Sequence, residues 1–207
     1  MRDSLVVSDA NRKAVEFLDD WPNWPGPVAI LAGPVGCGKS HLAQIWASRA
    51  DATIASLRST HAASTEPDRP VVVEDVARGG FSEIALFHLI NAVTSAKIHL
   101  LLTSRRWPGD WGITLPDLHS RMKLATLLEM GEPDDALLRG VMMKLFADRQ
   151  LAVEPAVINY LMVRMERSLA AAQDLVAALD EISLADKRSV TVPLASQVLE
   201  RLQNGND

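Results

Sequence analysis

The stretch Gly33-Pro34-Val35-Gly36-Cys37-Gly38-Lys39-Ser40 constrains this chain more than any other part of it. It fits the spacing G-x-x-x-x-G-K-[ST], in which glycines let successive backbone N–H groups turn inward around phosphate oxygens. In that arrangement Lys39 neutralises β- and γ-phosphate charge, and Ser40 is a ligand for Mg²⁺. Upstream, Val28–Ala32 is an apolar run short enough to be a strand buried on both faces. Downstream, after His41, residues Leu42, Ile45 and Trp46 recur at helical spacing. A helix opening at Lys39 aims its positive end at the same anion. A glycine-rich turn arising by chance would lack this strand–loop–helix context. Cys37 is expected to contribute its backbone to the loop rather than its thiol.

The pattern around the loop repeats. Thr53–Ala55, Val71–Val73 and residues 98–104 read as further strands, and 124–130 as a last one. Residues 81–96 carry Ile84, Phe87, His88, Ile90 and Ala92 in a mainly helical pattern, while 57–69 read as a loop. Strands alternating with helices predict parallel βαβ units with helices covering the sheet. The pattern changes after Gly131. Pro133 and the acids of the first turn open a helix in which Leu137, Leu138, Val141, Met142, Leu145 and Phe146 follow a 3.6-residue period. Three more helices are expected at about 154–166, 168–185 and 193–203. The expected organisation is an α/β nucleotide-binding domain over 1–131 and a small α-helical domain over 132–207.

Bulk properties narrow the function classes. The chain has 207 residues, 21 basic against 26 acidic, and a net charge of −5. Duplex DNA binding draws on clustered cations, and here the one local concentration is Arg105-Arg106. A dedicated DNA-binding domain and a membrane span are therefore not expected. The N-terminal stretch has no apolar core before a small-residue cleavage site, and the single cysteine excludes an internal disulfide. A cytoplasmic protein is the expectation. His88 and His99 are expected in or near the core, and the five tryptophans as packing anchors.

A phosphate-binding loop requires an acid at the end of a neighbouring strand. Glu74-Asp75 follows Val71–Val73 in the right place: one acid to hold Mg²⁺, the other to polarise attacking water. Thr103-Ser104 ends the next strand, where Ser104 is a candidate sensor of the γ-phosphate.

Taken in order, VVSDANRKAVEFL, GPVGCGKSHL, VVVEDV, ALFHLINAV, LLLTS and LPDLHSR resemble the AAA+ module of the replication initiator DnaA, followed by that family's helical lid. The resemblance is strongest to the Hda type, which has the module without the initiator's DNA-binding domain. It implies ADP or ATP with Mg²⁺ as cofactors, with phosphates and metal held by Gly33, Gly36, Cys37, Gly38, Lys39, Ser40 and Glu74. Val7 and Asn11 would lie near the adenine, His41 follows the loop serine as in the family, and Asp75 completes the acidic pair. Arg121, in LPDLHSR, occupies the arginine-finger position. The implied partners are DnaA and the sliding clamp, and the implied function is to stimulate hydrolysis of DnaA-bound ATP with Arg121 acting in trans. The alternative is a self-assembling ATPase resembling a helicase loader, with Arg121 serving a neighbouring copy of a homo-oligomer.

Four departures from the family pattern stand out. Glu74, not an aspartate, leads the acidic pair. Arg105 stands where the initiator has an acid after Thr103-Ser104. Gln173 falls where an arginine of the lid normally meets phosphate, with Arg167 nearby. None of Gln44, Gln150, Gln173, Gln197 or Gln203 opens a clamp-binding peptide.

Overall fold

The computed structural model describes residues 5–57, 67–76, 80–186 and 188–204, so most of the expected loop at 57–69 lies outside the described residues. The chain divides into two compact units, Asn11–Gly131 and Glu132–Asp207, the second also taking the segment before Asn11.

The first unit is a five-stranded parallel sheet in the order β2-β3-β4-β1-β5. Its strands are β1 (Val28–Ala32), β2 (Thr53–Ala55), β3 (Val71–Val73), β4 (Leu100–Ser104) and β5 (Thr126–Glu129). Every residue of β1, β3 and β4 is buried, which explains their unbroken apolar runs. At the edge, β5 alternates between half-buried and exposed positions. The helices of this unit are α1 (Arg12–Asp19), α2 (Lys39–Ala50), α3 (Glu83–Ala96) and α4 (Pro116–Leu124). Val28, Ile30, Leu100 and Leu102 present one sheet face to Leu86, Ile90 and Val93 of α3 and to Leu118 and Met122 of α4.

α3 departs from the expected facing. Ile84 is 60% exposed, and His88, expected near the core, is exposed four residues on. The row formed by Leu86, Leu89, Ile90 and Val93 sets the buried side, and positions 84 and 88 fall opposite it. His99 meets the expectation of a place near the core, in a cluster with Trp21, Trp24 and Trp46. The Trp21 indole donates to His99 Nδ1 at 3.2 Å, and Trp24 stacks on Trp46 with centroids 5.0 Å apart.

The second unit comprises α5 (Asp135–Asp148), α6 (Pro155–Arg164), α7 (Leu169–Asp186) and α8 (Val192–Asn204). Met142, Phe146, Leu161, Val176, Leu179 and Val198 form its core. The segment before Asn11, expected in the α/β domain, belongs with these helices. Asp134, the N-cap of α5, accepts from the Leu137 amide at 2.7 Å and also from the Ser8 hydroxyl and the Ala10 amide. Val6 lies so close to Gly140 that an added Cβ there would meet its Cγ1 at 2.7 Å. A capping side chain and one helical glycine thus capture the extended segment.

The Leu137 amide first, and then the Ser8 hydroxyl, hold the Asp134 carboxyl below the ordinary aspartate range. A carboxyl depressed in the folded state contributes stability that is complete above its unfolded value, near 3.9, and is lost as pH falls through the folded value. Asp134→Ala is expected to cost the helical unit about 1 kcal/mol at neutral pH. The gap from wild type should narrow below about pH 4, read by urea unfolding across pH.

Candidate nucleotide-binding site

Leaving β1, the chain enters the candidate phosphate-binding loop at Gly33. The Gly33 amide donates to the Ser104 carbonyl at 3.2 Å, and the Met130 amide donates to the Ala32 carbonyl at 2.8 Å. A Cβ at Gly33 would collide with the Met130 carbonyl and press on Cys37 Sγ at 3.2 Å, so a side chain is excluded by backbone on one side. Gly36 and Gly38 have φ of 75° and 102°, the left-handed region that glycine enters freely. These turns bring the loop to the start of α2, whose first residue is Lys39.

Lys39 is buried, and its ammonium donates to the Gly33 and Pro34 carbonyls at 2.8 and 2.6 Å, with Cys37 Sγ at 3.5 Å. Its three N–H groups are spent inside the loop, so meeting a phosphate requires exchanging them. Ser40 and His41 are exposed on the first turn of α2, and Cys37 is buried.

At the neighbouring strand end, Asp75 adopts φ 52°, uncommon for a residue with a side chain. Thr103 holds it there, its Oγ1 accepting from the Asp75 amide at 2.9 Å, while the Val76 amide donates to the Thr103 carbonyl at 3.0 Å. The Asp75 carboxylate forms an ion pair with Arg105, Oδ2 to Nε at 2.9 Å. Its Oδ1 is buried without a partner among the described residues. Glu74 is half-buried. The divalent ion that the loop motif implies does not fit this acidic pair well. Arg105 already offsets the Asp75 charge.

Ser104 is fully buried, and its hydroxyl accepts from the Trp111 indole and the Arg106 amide at 3.0 and 3.1 Å. It ties down the segment after β4, while Thr103 shapes the acidic strand end. The sequence pairs Thr103 with Ser104 only as a strand end suited to sensing phosphate; the signal for its role at Asp75 is a polar residue beside an acid across two parallel strands.

Arg121 lies in the last turn of α4, half-buried, with its guanidinium 5.6 Å from the centre of the Phe87 ring. The other end of α4 is held by the same neighbouring helix. Glu83 accepts from the Thr114 and Leu115 amides at 3.1 and 2.8 Å and from the Thr114 hydroxyl at 3.1 Å. Those bonds, that of Leu115 first, hold the Glu83 carboxyl below its ordinary range. This clamp was not expected, because a Glu after the capping Ser82 reads only as a favourable first-turn acid.

In the helical unit, Gln173 is exposed on α7. Arg167, the nearby cation, pairs with Asp135 at 2.7 Å and reaches the Pro133 carbonyl at 3.5 Å. Val7 is 44% exposed in the segment grouped with that unit, whereas Asn11 is buried just before α1 in the other. Among the described residues, no helix is long and apolar enough to cross a membrane.

Comparison with known proteins matches residues 138–199 to the family described as Hda, lid domain. The family match thus covers the helical unit, and what the solved structures below share with this chain is its fold. Its fold is similar to domain III of the Thermotoga maritima replication initiation protein DnaA, with a TM-score of 0.81 at 16% identity over 96% of this chain and 95% of that one. AMPPCP-bound DnaA from Aquifex aeolicus gives a TM-score of 0.70 at 19% identity over 98% of this chain and 68% of that one. An uncharacterized protein of Haemophilus influenzae is 24% identical, over 95% of this chain and 89% of its own length. The residues matched to the Hda lid family lie within the helical unit, from α5 to α8.

Two outcomes follow from the geometry. Gly33→Ala is expected to destabilise the α/β unit by about 1–3 kcal/mol, since backbone rather than a flexible side chain must give way; thermal unfolding measures it. Glu83→Ala is expected to speed hydrogen exchange at the His119 and Ser120 amides by roughly tenfold as the start of α4 loosens.

Proposed function

We propose that this chain is a regulator of replication initiation, a nucleotide-bound AAA+ module that donates Arg121 in trans to ATP held by DnaA and so speeds its hydrolysis. Its own nucleotide, ADP or ATP, lies in the loop Gly33–Ser40, and the sliding clamp is the setting in which it meets DnaA. The supporting relatives are DnaA structures, one of them bound to AMPPCP.

The observation that carries the proposal is the state of Arg121. An arginine kept for a rim salt bridge has an acid in reach. Arg121 has the face of Phe87 instead, and no carboxylate among the described residues pairs with it. A cation over an aromatic face is steadied without being neutralised. Its position in the last turn of α4, whose start is fastened by Glu83, gives it a fixed base. Arginine fingers stabilise charge in the transition state and contribute on the order of 10³–10⁵ in rate.

The reading as an autonomous, self-assembling ATPase requires an acid free to polarise water. Asp75, one of the two acids in place for that role, is ion-paired to Arg105, which weighs against it. The deciding experiment reconstitutes hydrolysis of DnaA-bound ATP with this protein, clamp and DNA. Arg121→Ala is expected to retain nucleotide binding and lose stimulation by about 10³. Undiminished stimulation would refute the finger, and concentration-dependent turnover by the purified protein alone would favour the ATPase reading.

A further inference from the structure

The phosphate-binding end of the sheet carries a cation that the loop motif does not call for. Ala32 is in register with Ser104, so the next residue along β4, Arg105, emerges beside the first residue of the loop. On its other side, β3 pairs Val73 with Leu102, which brings Glu74-Asp75 to the same strand ends. Arg105 therefore stands between the loop and the acidic pair, with its side chain 41% exposed.

Its chemistry suits an anion. Guanidinium has five N–H donors in a planar fork that matches phosphate in a bidentate manner. Asp75, through Oδ2, is the one partner of Arg105 among the described residues. Lys39, by contrast, has its ammonium bonded to the Gly33 and Pro34 carbonyls. An ion pair as exposed as Arg105–Asp75 adds little stability, while holding Asp75 at φ 52° works against it. Orientation of the guanidinium accounts for the pair better than stability does.

We propose that Arg105, steered by Asp75, is a phosphate-binding residue that takes the charge-neutralising place of the divalent metal, so that this chain holds its nucleotide without requiring Mg²⁺. The proposal rests on the nucleotide site assigned above and adds the ligand chemistry of that site. The competing occupant is a divalent ion on Asp75, whose Oδ1 is buried without a partner among the described residues. Dependence on Mg²⁺ separates the two.

The test is ADP affinity by calorimetry on the whole protein, in excess Mg²⁺ and in EDTA. Wild type is expected to change by less than about threefold between the two buffers. Arg105→Ala is expected to bind ADP roughly tenfold or more weakly in EDTA, the loss of a charge-assisted contact, and to recover affinity when Mg²⁺ is added, because Asp75 is then released. Arg105→Lys should restore only part of the loss, since a point charge lacks the fork.

A wild type that loses more than about tenfold in EDTA overturns the proposal, as does Arg105→Ala binding ADP in EDTA as tightly as wild type. Should Arg105→Ala fail to fold, the wild-type comparison and Arg105→Lys decide. Absence of ADP and ATP binding in both buffers would instead remove the nucleotide site itself.

Discussion

The candidate nucleotide end of this molecule depends on how closely backbone closes around Gly33. The end of β4 accepts its amide through the Ser104 carbonyl, and the Met130 carbonyl, just past β5, fills the space where a side chain would begin. With the first loop residue pinned between two strands, the positive-φ turns at Gly36 and Gly38 have a fixed origin. The direction of α2 follows from them. The same closure places Ser104, and hence Arg105, against the loop rather than at some distance along the sheet. The close packing that makes the loop rigid also delivers the unusual cation.

The opposite side of the sheet uses α3 in a comparable way. Glu83 and Phe87 are four residues apart, one turn along one face of the helix. The first fastens the start of α4 and the second supports Arg121 near its end. Placement of the candidate finger is thus a property of a buried helix–sheet core, transmitted through two contacts. Neither contact neutralises the guanidinium, so its charge remains available to an outside anion.

Most of the fold was legible because parallel strands covered on both faces appear as short, unbroken apolar runs, and β1, β3 and β4 are of that kind. The loop was legible because its glycines and Lys39 are required by backbone geometry and charge. Other features were not. α3 is apolar on much of its circumference, so periodicity alone did not reveal that Ile84 and His88 face outward. The segment before Asn11 joins the helical unit through Asp134, a capping side chain distant in sequence. At the site, Glu74, Asp75 and Arg105 were visible as charges, but the pairing of Asp75 with Arg105 depends on strand register and on Thr103 turning the backbone. That Arg121 meets an aromatic ring rather than an acid is likewise a fact of packing.

Joining these features divides the labour between the chain's cations. Lys39 is folded into the loop it serves. Arg105 is drawn toward Asp75 at the strand ends and reduces the negative charge that would collect a divalent ion or polarise water. Arg121 is held at the far end of α4 with no acid beside it. On the proposed reading, a site arranged in this way leans toward retaining a nucleotide over turning it over, since Asp75, one of the two acids at the strand ends, is held by a cation. Retention without turnover would suit the proposed role, in which Arg121 works on ATP held by another protein while the module's own nucleotide is not consumed.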